Sequence, residues 1–438
     1  MRRILLSSLG ALLFASMAVA QSYAQTYSNR SVPTPNQPAP AQGAPASVTW
    51  EPQTALGAGI VEDNPVNYWI SAELLHYWLK PAPLPVPLLT TDTSGGFAGP
   101  LPGISSPITQ VLVGNSHVDF RDGFNGIRLS AGYDLDPSYG VAIGATALDE
   151  RTLNTFLGSD AAGRPVLYRP FVNLTTNNIN GGFFIAFPGQ AAGEFLMRNS
   201  SEFDGFNFDF VSHVANDGSF KVDLLAGFRS LMLKEQLSIN DNYLNIPPNG
   251  GAGFGAFFGG KPLVIGDSVA TFDKFHTRST FYGGHVGVQS EYQVGGLTVI
   301  GNGSIGVGDT NQIVEIAGSS TLTKGATGVK SSLPGGTLAL PSNSGRLEHN
   351  ELSFVPELGV KLAYDFTPGF RAFLGYDFLY WTHVARPGDQ IRLVVNDTQS
   401  PQSPRFNPAL PAPNPPPPGP DRANFYLMGL NAGVTFRF

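Results

Sequence analysis

The order of its connections constrains this chain more than any other feature. From Tyr68 onward, apolar and polar residues alternate with the period of two that marks a half-buried β-strand. Ten such segments run at about 68–79, 123–134, 139–149, 202–214, 219–234, 277–293, 296–308, 352–366, 370–382 and 424–437. Four connections have tight-turn compositions: Leu135-Asp136-Pro137-Ser138, Asn216-Asp217-Gly218, Gly295-Gly296 and Thr367-Pro368-Gly369. The other five run to roughly forty or fifty residues, and short and long alternate without exception. A soluble sandwich has no reason to do this. A membrane barrel does, because its periplasmic turns are short and its outer loops long. The expectation is an all-β, antiparallel up-and-down transmembrane β-barrel of ten strands, with both chain ends on the periplasmic side. A further hairpin near Ile313–Leu322 or Phe183–Phe187 would raise the count to twelve.

The faces of the segments agree with lipid outside. A bilayer core offers no water to backbone groups, so a sheet crosses it only when closed. In the last segment Tyr426, Met428, Leu430, Ala432, Val434, Phe436 and Phe438 share one face, against Gly429, Asn431, Gly433, Thr435 and Arg437. The eighth sets Phe354, Leu358, Val360, Leu362, Tyr364 and Phe366 against Ser353, Glu357, Lys361 and Asp365. Aromatics near both ends of several segments predict interfacial girdles: Tyr68 and Trp69 with Tyr77 and Trp78, Tyr282 with Tyr292, Phe370 with Tyr380 and Trp381. Pro356 lacks a ladder donor, which predicts a bulge or a later strand start.

The N-terminus predicts export. Arg2 and Arg3 precede the apolar run Ile4 to Val19, and Ala18-Val19-Ala20 offers a small-x-small cleavage site. Residues 1–20 are read as a signal peptide. Residues 21–67, rich in Pro, Ala, Gln and Ser, read as a disordered periplasmic tether ahead of a barrel over 68–438. Removing the first twenty residues leaves 24 basic and 33 acidic side chains. That balance argues against a nucleic-acid partner. There is no cysteine to form disulfides or carry a lipid anchor.

The terminal Phe438 and the alternating residues before it (Tyr426, Met428, Leu430, Val434, Phe436) look like the C-terminal signal that the barrel-assembly machinery of Gram-negative-type envelopes reads. Several stretches resemble a narrower family, the planctomycete-type outer-membrane beta-barrel proteins ("beta-barrel protein seven"). Among them are Ala72-Glu73-Leu74-Leu75-His76-Tyr77-Trp78-Leu79-Lys80, Arg164-Pro165-Val166-Leu167-Tyr168-Arg169-Pro170-Phe171 and Val384-Ala385-Arg386-Pro387-Gly388-Asp389-Gln390-Ile391. The resemblance implies an outer-membrane location and a barrel, with lipid as its surroundings. It implies no activity, ligand or functional residue.

The faces opposite the lipid carry Glu73, Arg128, Asp209, Asp223, Arg229, Glu357, Lys361, Arg371 and Asp377. These nine are the candidate lumen residues. Ten or twelve strands enclose little free space, so an internal salt-bridge network with a structural or surface-interaction role leads, and a narrow solute channel is the alternative. Residues 247–260, which mix Gly with Phe, and the Pro-rich stretch 401–420 belong to the long outer loops. His76, Asp149, Glu150, His276 and His383 fall near the outer rim, where a barrel enzyme would place acid and base groups. No His-x-x-x-His, nucleophile elbow or phosphate loop accompanies them. The reading is a non-enzyme with no metal and no cofactor.

Overall fold

A computed structural model describes residues 68–92, 109–176, 179–247, 255–409 and 421–438. The expected signal peptide and tether lie outside these, as do residues 248–254 and 410–420.

Ten antiparallel staves form a closed ring. They are β1 (Tyr68–Leu79), β2 (Phe124–Asp134), β3 (Tyr139–Leu148), β4 (Ala191–Asn216), β5 (Phe220–Asn245), β6 (Ser268–Val294), β7 (Leu297–Thr323), β8 (Gly345–Thr367), β9 (Phe370–Ala385) and β10 (Arg422–Arg437). Each pairs with its successor, and β10 returns to β1 in register from Trp69↔Arg437 to Leu79↔Leu427. Closure leaves no sheet edge in the ring, which is what makes the sheet tolerable in hydrocarbon. The four short connections are the tight turns the sequence predicts. Asp136 Oδ1 accepts from the backbone of Ser138 and Tyr139 at 2.7 and 2.9 Å. Gly218 and Gly295 supply φ of +88° and +64°, which a side chain resists.

Stave length departs from expectation. A bilayer crossing uses ~9–11 tilted residues, yet β4 to β8 have 23 to 27 each. They extend the predicted segments toward the long-loop end. In β4 to β7 the cause is an inversion of the hydrophobic face, and β5 shows it, whereas the outer end of β8, residues 345–350, is exposed. Near its start Leu224 and Phe228 are exposed outside while Asp223 and Arg229 are buried inside. Beyond Arg229 the inward residues become Leu231, Leu233, Leu237 and Ile239, all buried, and Lys234 and Asn240 face out. The first half presents grease to its surroundings, and the second half presents it to a core.

That core lies inside the projecting wall. The long loops contribute a second sheet of five strands, made by Ala82–Asp92, Thr109–Val118, Leu167–Asn173, Ile179–Ala186 and Val394–Val395. Its Leu84, Leu88, Leu167 and Phe171 pack with Phe195 of β4, Leu237 of β5, Phe275 of β6 and Ile316 of β7. The loops therefore form a folded cap. Buried ion pairs pin it: Arg386 Nη2 meets Glu235 Oε1 at 2.8 Å, and Arg169 pairs with Asp241 and, at 3.0 Å, with Asp273.

Three smaller expectations are corrected. Trp69 borders the interior, and Tyr77 and Trp381 are buried within it; they are not girdle residues. Tyr68, Tyr282 and Tyr292 do face outward. Residues 313–322 belong to β7, and Phe183 lies in the cap sheet, so neither adds a stave. Pro356 keeps register opposite Ile305, and the ladder with β9 starts one residue later at Glu357, so no bulge is needed there.

Candidate functional site

The inward faces of the staves divide the barrel into two levels. Toward the short-turn end lies a polar cavity of about 650 Å³. All nine candidate lumen residues border it, and each has a charged or histidine partner.

The pairs strap the cavity across its width. Glu73 of β1 and Arg128 of β2 are register partners, with Arg128 Nη1 3.3 Å from Glu73 Oε2. The same nitrogen lies 2.9 Å from Asp377 Oδ2 on β9, and Lys361 Nζ of β8 reaches Glu73 Oε1 at 2.8 Å. The Tyr77 hydroxyl donates to Asp377 and accepts from Arg128 Nη2 at 2.9 Å. Asn431 Nδ2 donates to Asp377 at 2.9 Å. Elsewhere Arg229 of β5 meets Glu357 of β8 at 2.7 Å, and Arg371 of β9 meets Glu291 of β6 at 2.9 Å and Asp365 at 2.7 Å. Asp209 pairs with His285 at 2.5 Å and Asp223 with His213 at 2.7 Å. Buried charges in a low dielectric need such partners. Five of these contacts, Arg128–Asp377, Lys361–Glu73, Arg229–Glu357, Arg371–Glu291 and Asp209–His285, hold staves that are not neighbours in the sheet.

Above the cavity the interior closes. Tyr77, Phe124, Leu148, Phe203, Leu231, Phe281, Val355, Trp381 and Phe425 form one buried apolar cluster. They come from nine of the ten staves. The tenth, β7, supplies Thr310, whose Oγ1 accepts from Trp381 Nε1 at 2.9 Å. Phe281, Trp381 and Phe425 are fully buried, with Trp381 edge-on to both phenyl rings. This septum separates the polar cavity from the cap core.

The family follows from this chain's sequence more firmly than from any solved structure. Among solved structures the fold is similar to the outer membrane protease OmpT from Escherichia coli (9% identity, 86% of this chain and 98% of that chain, TM-score 0.38). It is also similar to a Pseudomonas aeruginosa FadL homologue (7% identity, 85% and 90% covered, TM-score 0.25) and to LpxR from Salmonella typhimurium (10% identity, 72% and 89% covered, TM-score 0.19). Likenesses this distant transfer no residue roles. No curated protein matches the chain. The family model described as "Putative beta barrel porin-7 (BBP7)" matches residues 69–438. The chain belongs to this porin-7 family. It is an outer-membrane β-barrel protein.

Within this porin-7 barrel, the rim residues do not converge. His76 and His276 point outward from β1 and β6, which share no pairing. His76 Nδ1 lies 2.9 Å from Asn125 Oδ1, and His276 Nδ1 lies 3.6 Å from Glu315 Oε2. His383 holds φ of +56° at an irregularity in the β9–β10 pairing, with Nδ1 2.8 Å from the Leu352 carbonyl. Asp149 and Glu150 are exposed beside β3. Among the described residues, no group of three or more His, Asp and Glu side chains is placed to hold a metal ion.

Tyr77, His213, His285, Glu291 and Asn431 belong to the lumen network of this porin-7 chain but not to the predicted set. Parity was the available signal for all five: His213 is four residues from Asp209, and His285 and Glu291 oppose Tyr282 and Tyr292. Tyr77 is four residues from Glu73 and Asn431 two from Gly429, so each shares an inward face. For Tyr77 its aromatic character outweighed its parity.

Proposed function

We propose that this porin-7 barrel is a sealed outer-membrane platform that presents its folded cap at the cell surface and conducts no solute in this conformation. The short-turn end is assigned to the periplasm and the cap to the outside. The outward faces, bare at Leu74, Leu358 and Leu374 (71%, 61% and 67% exposed), suit acyl chains. Alternate residues of β10 ending in Phe438 are the segment offered to the assembly machinery, after export directed by residues 1–20 and cleavage at Ala20.

The observation that carries this reading is the septum. A water column cannot cross a layer in which Phe281, Trp381 and Phe425 leave no accessible surface. The cavity below it is then a cup open to one side. The channel reading requires the septum to open, and its support is the family's description together with the cavity.

Planar-bilayer recording separates the two. The purified chain is expected to be silent over a wide voltage range, while Phe281→Ala/Trp381→Ala gives steady unitary currents. Unitary currents from the unaltered chain would overturn the sealed reading.

A further inference from the structure

On the outside of β5 and β6, just beyond the membrane band, two cations stand where a sheet would not place them unaided. Lys234 and Arg278 are direct register partners on the outward face. Such partners have Cβ atoms ~4.5–5.5 Å apart, and like charges there repel. Lys234 has Glu202 at 3.2 Å. Arg278 has no carboxylate partner among the described residues. Two rows farther out, Arg198 of β4 and Lys274 of β6 both pair in register with Ser238 of β5, again without a carboxylate partner among the described residues. His276 lies between Lys274 and Arg278 on the same face. Its pKa is lowered by burial first, against the pull of Glu315, and then by Lys274, Lys234 and Arg278. Three cations therefore bear on one point of the wall.

The height of this patch selects the partner. On β6 the outward residues from Tyr292 to Tyr282 form the apolar band. Ten residues at ~3.4 Å, tilted ~40°, span ~26 Å, the height of a barrel's lipid-facing belt. Arg278 stands four residues past Tyr282, about 10 Å above the belt by the same geometry. Headgroups thicken the bilayer by ~5–7 Å on each side, within reach of the Arg278 and Lys234 side chains extended toward the belt, while Lys274 and Arg198 stand ~21 Å above it. The Arg278 guanidinium and the Lys234 ammonium, side by side as register partners, match phosphate oxygens.

We propose that Lys234 and Arg278, with Lys274 and Arg198 at the outer margin, form a site for the phosphate of a lipid headgroup in the leaflet on the cap side. It rests on the membrane reading of the barrel. Glu202 orients Lys234, Glu315 holds His276, and the phosphate relieves the repulsion of the Lys234–Arg278 pair.

The test uses the purified full chain in phosphatidylcholine vesicles, with and without phosphatidic acid. The readout is the fraction of spin-labelled phosphatidic acid immobilised at the protein surface relative to labelled phosphatidylcholine. Several-fold preference for phosphatidic acid is expected, reduced at least threefold in Lys234→Gln/Lys274→Gln/Arg278→Gln with the heat-modifiable gel shift retained. Arg278→Gln alone supplies the smaller loss if the triple variant does not fold. Equal immobilisation of the two lipids, or undiminished preference in the variants, overturns the site. Displacement by equimolar inorganic phosphate would assign the cations to a free anion and also overturn it. Failure of the chain to enter phosphatidylcholine vesicles counts against the membrane reading instead.

Discussion

Trp381 and Thr310 join β9 to β7 through the septum. The indole Nε1 donates to the threonine hydroxyl at 2.9 Å, and both side chains are fully buried. It ties the largest ring of the layer to the one stave that gives the layer no apolar residue. Thr310→Val is expected to leave that indole donor unsatisfied and cost about 1–3 kcal/mol. Trp381→Ala costs more, about 3–5 kcal/mol, because it also leaves a cavity. The unfolding midpoint in urea, followed by gel mobility, measures both. Equal midpoints for the two variants would mean that the indole contributes no packing.

The lumen straps behave as units. Asp377→Ala takes the shared acceptor from Arg128, Tyr77 and Asn431 together and leaves Arg128 only Glu73, and removing one side of a buried pair costs up to about 3–5 kcal/mol. Asp377→Leu with Arg128→Met removes both charges and is expected to recover much of that loss. Failure of the double variant to improve on the single would show that the network, and not the stranded charge, sets the cost.

The cap carries a pH signature. Burial, opposed by Arg169 and reinforced by Asp273, raises the Asp241 carboxyl to about 7. The ordinary value is ~3.9, so the folded state binds this proton more tightly than the unfolded one. Its stabilisation is complete below ~3.9 and is lost as pH rises through about 7, at up to about 1.4 kcal/mol per pH unit. Asp267 works in the opposite sense and outside that window. Burial raises its pKa, but the Lys324 hydrogen bond and backbone donors outweigh this and hold it below the ordinary value. It destabilises only in stronger acid. Asp241→Asn should flatten the cap's stability between pH ~4 and ~7, read as protease resistance across that range. An unchanged slope would remove Asp241 as its source.

Arg386 and Glu235 anchor the loop after β9. Both side chains are about 1% exposed, and Arg386 Nη2 also donates to the Lys80 carbonyl at 3.1 Å. Arg386→Met is expected to expose the segment from 386 to 409 to proteolysis while the heat-modifiable shift persists. Loss of that shift instead would mean that the anchor serves the barrel as well as the cap.

How far the sequence reveals this fold depends on which side of the belt one reads. Below Arg229 the rule of apolar outside, polar inside holds, and it places Leu224, Asp223 and Arg229 on their observed faces. Above Arg229 the rule inverts. Lys234 faces outward and Leu237 inward, as in a soluble sheet. The two regimes meet without a turn or a proline, so the change of parity resembles a strand end, and the projecting halves of β4 to β8 go unread. The nine lumen candidates were legible because charge on an otherwise greasy strand points inward. Their partners across the lumen were not, since Arg229 and Glu357 sit on staves separated by two others. The cap sheet was the least legible, because its strands are Pro-rich, as in Ala82–Asp92, or as short as Val394–Val395.

Closure of the ring is the claim on which all of this stands. The chain has no cysteine, so a single engineered pair reports without background. Ala72 and Val434 are register partners on β1 and β10. Antiparallel partners lie ~4.5–5.5 Å apart, within the ~4.4–6.8 Å that a disulfide accepts. The double variant Ala72→Cys/Val434→Cys, folded and mildly oxidised, should cross-link nearly completely within one chain, while Ala72→Cys with Leu362→Cys of β8 should not. Absence of the first cross-link in correctly folded protein, or equal yield from the second, would mean that the first and last staves do not meet.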